Sequence, residues 1–288
     1  MKQNIFERVT ARILEQMEAA AGDWTKPWIP VDFGGATNAL TGVAYKGGNS
    51  FILGLLGGGY WATYRQWQTL GAQVRKGEEG VQCIKWVNYQ QEVPQTTGDS
   101  LSFNGMFPNC FTVFSAAQVD GWQAPPPPEP MPECERMAMA DAIVAATGAS
   151  IRQQRQDRAY YAPAPDYISL PALDQFASSE DFYSVLMHEL THWTGHSSRL
   201  DRLKTNGTGK RSDYAFEELV AEIGAAFLLA GCGLSVEPRQ DHAEYLASWI
   251  KYCKTEPNLI ISAASQAQKA FDYIVAFSME APVQEVAA

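Results

Sequence analysis

Apolar positions along the chain follow two periods. Over residues 3–21, Ile5, Val9, Ile13 and Met17 fall four apart, the stripe of an amphipathic helix. Residues 60–74 admit a second helix, and segments near 81–90 and 110–115 read as strands. Helical spacing returns over 133–147, whereas 159–170 (AYYAPAPDYISL) reads as extended. The strongest helix covers 178–195: Ser178 or Ser179 can cap it, Glu180 and Asp181 suit its positive end, and Gly195 suits its stop. Residues 214–230 form another helix, closed by Gly231 and Gly233, and 243–253 and 260–277 complete a mainly helical second half. Between the halves runs QAPPPPEPMPE, residues 123–133. Its four successive prolines remove backbone donors and favour polyproline geometry, so no helix or central strand crosses them. The pattern predicts an α+β protein of two domains, residues 1–122 and 134–288, with a semi-rigid linker at 123–133; 288 residues fit two domains of ordinary size.

Composition narrows the class. A hydrophobic fraction of 46% excludes wholesale disorder, and no run approaches the roughly 20 apolar residues of a membrane helix. Glu7, Arg8, Glu15 and Glu18 interrupt the stretch where a secretory signal needs an apolar core, so none is expected. The five cysteines are scattered and form no CxxC pair, which points away from disulfides and a cysteine zinc knuckle and toward the reducing cytoplasm. The net charge of −10 is uneven: residues 1–122 carry 9 lysines and arginines against 10 acids, the remainder 13 against 22. No basic excess advertises a nucleic-acid partner, so DNA binding must rest on other features.

One motif carries chemistry. His188-Glu189-Leu190-Thr191-His192 spells H-E-x-x-H within the strongest helix. Positions i and i+4 share a helix face, so both imidazoles can reach one ion, while Glu189 can serve as general base to a water without ligating. That is the arrangement of a zincin metallohydrolase. The metzincin spacing is not met, because the next histidine after Gly195 is His196. The third ligand is expected on the following helix, in Glu217-Glu218-Leu219-Val220-Ala221-Glu222. Glu218 is taken as the ligand and Glu222 as the acceptor behind a histidine; the reverse stays open. His196 and His242 can support the site, or merely cap and pack. Such a donor set takes Zn2+, and other divalent ions such as Mn2+ as well.

The first half is rich in rings. Six of the eight tryptophans, Trp24 and Trp28 among them, precede the linker. Interleaved with Lys46, Arg65, Lys76 and Lys85, exposed rings would stack unpaired bases; the alternative is that most of them fill a small core.

Longer strings identify a resemblance. Trp24-x-x-Pro27-Trp28, Asn38-x-x-Thr41-Gly42-x-x-Tyr45-x-Gly47-x-Asn49, Lys76-Gly77-Glu78-x-Gly80 and Phe111-x-Val113-Phe114 stand in the first half. Ile168-x-Leu170-Pro171, residues 188–196 (HELTHWTGH), residues 217–222 (EELVAE) and His242-Ala243-x-Tyr245-x-x-x-Trp249 stand in the second. Nearly the whole chain resembles the ArdC antirestriction family, whose first domain is shared with some conjugative primases. The resemblance implies single-stranded DNA binding by the first domain and a metal-dependent peptidase-like second domain. It implies a plasmid-borne protein that shields entering DNA from restriction. Joining the two domains on one chain would place the peptidase beside DNA-bound proteins, so an unidentified host protein is the expected substrate. The rival reading is a non-enzymatic protein that coats single-stranded DNA and carries a structural metal.

Overall fold

The computed structural model describes residues 35–94, 100–126, 132–203, 211–234 and 259–280. In chain order these form β1 (Thr37–Asn38), α1 (Gly47–Leu55), β2 (Tyr60–Ala62), α2 (Tyr64–Thr69), β3 (Gln73–Val74), β4 (Val81–Pro94), β5 (Ser100–Ser115), β6 (Val119–Asp120), α3 (Glu133–Ala146), β7 (Ile151–Gln154), β8 (Tyr160–Ala162), β9 (Tyr167–Pro171), α4 (Ser179–Thr194), α5 (Arg211–Gly231) and α6 (Leu259–Glu280). The architecture is α+β, with the strands gathered early and long helices late. Among the described residues no helix is long and apolar enough to cross a membrane. The helices expected over 3–21 and 243–253, and residues 127–131 of the proline linker, lie outside the described residues.

The chain divides into two compact units. One comprises Ala36–Tyr45 and Gly59–Pro125; the other includes Lys46–Gly58 and the described residues from Pro126 onward. The units cut the chain differently from a boundary at the linker alone, because α1 belongs with the later helices. The reason is packing. Phe51, Ile52 and Leu53 of α1 are buried, Gly48 rests against Ile261 of α6, and the Gly47 N–H donates to Gln268 Oε1 at 2.9 Å. The triplet Gly57-Gly58-Gly59 then leaves the helix with positive φ at all three residues, a path closed to most side chains. The Gly57 and Gly58 amides bond back to the carbonyls of Gly54 and Leu53, closing the helix end.

The first unit is built on a four-stranded sheet in the order β1-β2-β5-β4. β4 pairs antiparallel with β5 along its whole length, from Val81 opposite Val113 to Pro94 opposite Ser100. The single helix expected over 60–74 is instead strand, short helix and strand. Thr63 stops β2 and starts α2 through a capping box with Gln66, and Gly71 turns the chain at a φ of 76°. Trp67 is completely buried among Ala62, Ala72, Val74 and Val119, and its Nε1–H donates to the Phe114 carbonyl at 3.0 Å. Trp122 meets it edge-on at 5.2 Å.

In the other unit, a three-stranded sheet in the order β7-β9-β8 lies beneath α4. Ile168 and Leu170 of β9 are fully buried, as are Met187 and Leu190 of α4, and one core cluster holds all four. α4 starts where Ser178 caps it, its hydroxyl accepting from the Asp181 N–H at 3.1 Å, and stops at Gly195. It is buried on more than one face, from Phe182 and Leu186 to Thr191 and Thr194.

A polar clasp ties the β8–β9 turn to the chain beyond α4. Arg199 donates to both Asp166 oxygens and to the Tyr161 hydroxyl, and its guanidinium lies 4.0 Å from the centre of the Trp193 ring. Hydrogen bonds from Arg199 hold the Asp166 carboxyl down at about 2, burial opposing and Tyr161 assisting. A depressed carboxyl stabilises the fold above its unfolded value near 3.9, and that stabilisation is lost as pH falls toward 2. Asp166→Asn keeps a residue tolerant of the left-handed conformation found here, φ 51°. The variant is expected to lose about 1–2 kcal/mol at pH 7, a modest figure because the carboxylate is partly exposed. Its deficit should shrink steadily below pH 4 in urea melts; equal stability of both proteins at pH 7 would show that the clasp contributes nothing.

Candidate metal centre

Two helices assemble the site. His188 and His192 lie one turn apart on α4, and α5 crosses it so that consecutive glutamates face them. The crossing is close because Gly224 of α5 has no side chain: a Cβ there would stand 2.5 Å from Thr191 Cγ2. His188 Nε2 and His192 Nε2 are 3.2 Å apart, and the Glu218 carboxylate lies 3.6 Å from each, through different oxygens. Tetrahedral donors about 2.0–2.1 Å from a zinc-like ion stand roughly 3.3 Å from one another, so this triangle matches the span one cation requires. His188, His192 and Glu218 are therefore the residues that could hold a divalent ion.

The surroundings orient these donors. Glu222 Oε1 is 3.4 Å from His188 Nδ1, and Glu217 Oε1 is 3.2 Å from His192 Nδ1. Each ring thus meets a carboxylate behind the nitrogen that faces the triangle, which fixes its tautomer. Burial alone would lower the His188 imidazole, but hydrogen bonds to Glu218 and Glu222 reverse this and lift it to about 10. A proton and a metal compete for that ring, as at any histidine ligand. Burial likewise works to raise Glu217 and Glu218, and in both it is outweighed. His192 and Arg202 hold Glu217 below the usual carboxylate range, and bonds with His188 and the exposed Tyr214 help do the same for Glu218. Glu189 behaves oppositely. It is 7% exposed, and burial raises its carboxyl despite the neighbouring imidazoles and a bond from the Tyr161 backbone on β8. It lies beside the triangle and is not part of it.

The structure brings together His188, Glu189, His192, Glu218 and Glu222. His196 is not in the cluster; its Nδ1 shares a 2.7 Å hydrogen bond with Ser198 Oγ in the turn after the helix. His242, Trp24 and Trp28 lie outside the described residues. Glu217 escaped the sequence reading although it adjoins Glu218, because spacing singled out only the i, i+4 pair. Of the remaining basic candidates, Arg65, Lys76 and Lys85 are exposed on the first unit, whereas Lys46 falls in the other unit, 3.7 Å from Asp272. Trp61 and Trp67 are core residues, so they cannot stack on a ligand. Lys76 lines an open cleft of about 550 Å³ with the exposed ring of Tyr64, Phe114 and Arg75, the last already paired with Glu78 and Asp120.

A sheet beneath an H-E-x-x-H helix, with the third donor on the next helix, defines a zincin-like metallopeptidase domain. Comparison with known proteins agrees. Residues 138–266 match a family of zincin-like metallopeptidases, and residues 3–114 match the N-terminal domain of the anti-restriction factor ArdC. The uncharacterized protein y4eC of Sinorhizobium fredii is 37% identical over 98% of this chain and 95% of its own. A DNA primase TraC of Escherichia coli is 39% identical over 97% of this chain, which spans only 28% of the primase. Two crystal structures of the antirestriction protein ArdC from plasmid R388 superpose closely. The metal-free one has a TM-score of 0.76 at 38% identity, covering 96% of this chain and 98% of that one. The Mn(II)-bound one has 0.75 at 36%, covering 96% and 99%. The chain belongs to the ArdC antirestriction family.

Proposed function

We propose that this protein binds single-stranded DNA, carries a zinc-type peptidase centre, and protects entering plasmid DNA from restriction by acting on a host protein beside it. The observation that carries the enzymatic part is the donor triangle of His188, His192 and Glu218 with the buried Glu189 at its side. A divalent ion held there would supply Lewis-acid activation of a peptide carbonyl and of water. Glu189 accepts the proton released as water attacks, and delivers it to the departing amine. Glu217 and Glu222 keep the imidazoles aimed. The Mn(II) bound to the R388 protein supports a divalent ion, and the same donors suit zinc.

DNA binding is supported by the match to the ArdC N-terminal domain and by the similarity to primase TraC. On the first unit, Tyr64 with Lys76, and Arg65 and Lys85, offer a ring and charges for unpaired bases and phosphates. A tether of this kind raises the local concentration of the peptidase near DNA-bound proteins. Elemental analysis of the full chain tests the core of the reading. Wild type is expected to purify with, or take up, one divalent ion per chain, and His188→Ala to hold essentially none. Equal metal in both would remove the peptidase. Cutting the chain at its linker is a poor test, because α1 would lose the helix that covers it.

A further inference from the structure

We propose that Arg202 is a positioning residue of the metal centre, acting through Glu217 on His192. This rests on the reading that His188, His192 and Glu218 hold a divalent ion. Arg202 lies past the end of α4, with a side chain only 6% exposed. Its Nε donates to Glu217 Oε2 at 3.2 Å and its Nη2 to Glu217 Oε1 at 3.0 Å, a two-pronged grip that sets the plane of the carboxylate. The same Oε1 faces His192 Nδ1 at 3.2 Å. Guanidinium, carboxylate and imidazole therefore form one line. A carboxylate fixed in this plane keeps the ring proton on Nδ1 and the Nε2 lone pair directed at the triangle.

The fork is itself anchored. Its Nη1 donates to Thr194 Oγ1 and its Nη2 to the Thr191 carbonyl, both at 2.8 Å, in the last turn of the helix that carries the histidines. The Thr191 carbonyl also accepts from the Thr194 hydroxyl at 2.6 Å, so Arg202 adds a second donor at the helix end, where backbone amides run out. Gly195 makes room for it. Its φ of −77° is open to any residue, so backbone freedom does not explain the glycine. Space does: a Cβ at 195 would lie 3.1 Å from Arg202 Nη2 and 2.9 Å from Leu203 Cγ. The glycine that follows the H-E-x-x-H motif thus leaves room for Leu203 and the guanidinium together, with the His192 carbonyl also 3.1 Å away.

Because Arg202 also supports the fold, the test separates the two roles. Co(II) alone is titrated into metal-stripped full-length protein in competition with a chelator. The visible absorption of the bound ion reports its coordination, and thermal melts of the metal-free proteins report folding. Glu217→Gln and Arg202→Ala are each expected to weaken Co(II) binding about 10–100-fold and to alter its spectrum. The double variant should bind no more weakly than the poorer single one, as two links of one line require. Arg202→Lys, which offers a point charge in place of a fork, should not restore the spectrum. Gly195→Ala should fall between wild type and Arg202→Ala. Should Arg202→Ala fail to fold, Glu217→Gln and Gly195→Ala decide the matter. A folded Arg202→Ala protein with wild-type affinity and spectrum would reduce Arg202 to a helix-closing residue and overturn the inference alone. Wild type that takes up no Co(II) would overturn the metal reading itself.

Discussion

Replacing Glu189 by alanine is expected to leave the metal content at its wild-type level while lowering peptide hydrolysis by about 10²–10⁴-fold, the contribution of a positioned general base. The two effects separate because Glu189 stands outside the triangle of donor atoms formed by His188, His192 and Glu218. Its carboxyl is buried and raised, so it is a better proton acceptor than a solvated glutamate. The measurement pairs elemental analysis with digestion of candidate host restriction factors, with and without single-stranded DNA. A parallel assay follows the survival of an entering plasmid in a restricting host. If Glu189→Ala protects the plasmid as well as wild type does, hydrolysis plays no part. The protein then acts by covering DNA, and the ion serves the fold.

The second large effect concerns stability. Trp67→Ala is expected to cost about 3–5 kcal/mol, because it removes the largest completely buried side chain of its core and leaves a cavity. It also strips the Phe114 carbonyl of its indole donor. Urea unfolding should show the unit formed by Ala36–Tyr45 and Gly59–Pro125 melting early, while bound metal persists, since the site belongs to the other unit. A loss under about 1 kcal/mol would mean that the ring is not what closes this core. Oligonucleotide binding should fall together with the folded fraction of the unit.

What could be read from residues alone follows from how local each signal is. The helix that carries the histidine pair was legible because its cap, its stop and its two imidazoles all fall within 178–195. Glu218 and Glu222 were legible for the same reason, sharing a face at i, i+4. Glu217 was not, because a residue 100° around the helix points at His192 only once the crossing of α4 and α5 is known. Arg202 carried no signal, its meaning being entirely in partners brought together by folding. The segment 60–74 misled because Thr63 and Gly71 break a pattern whose apolar spacing suits one helix. α1 was hidden by its own composition: it opens on two glycines, its cap position is Lys46 without a side-chain bond, and its apolar face matters only against α6.

Gly224 has a consequence for anyone who would move this centre elsewhere. The five-residue motif is portable, and any stable helix can display its two rings. What does not travel with it is the interhelical gap, set by a position on the opposite helix that bears no side chain where Thr191 presses in. A transplant that copied the motif and its glutamates but placed alanine opposite would hold the two halves apart by several tenths of an ångström or more. The coordination sphere would then be stretched while every ligand was present. The smallest residue of the pair sets the scale of the whole centre, and a search for such sites in other sequences should ask for that absence as well as for the histidines.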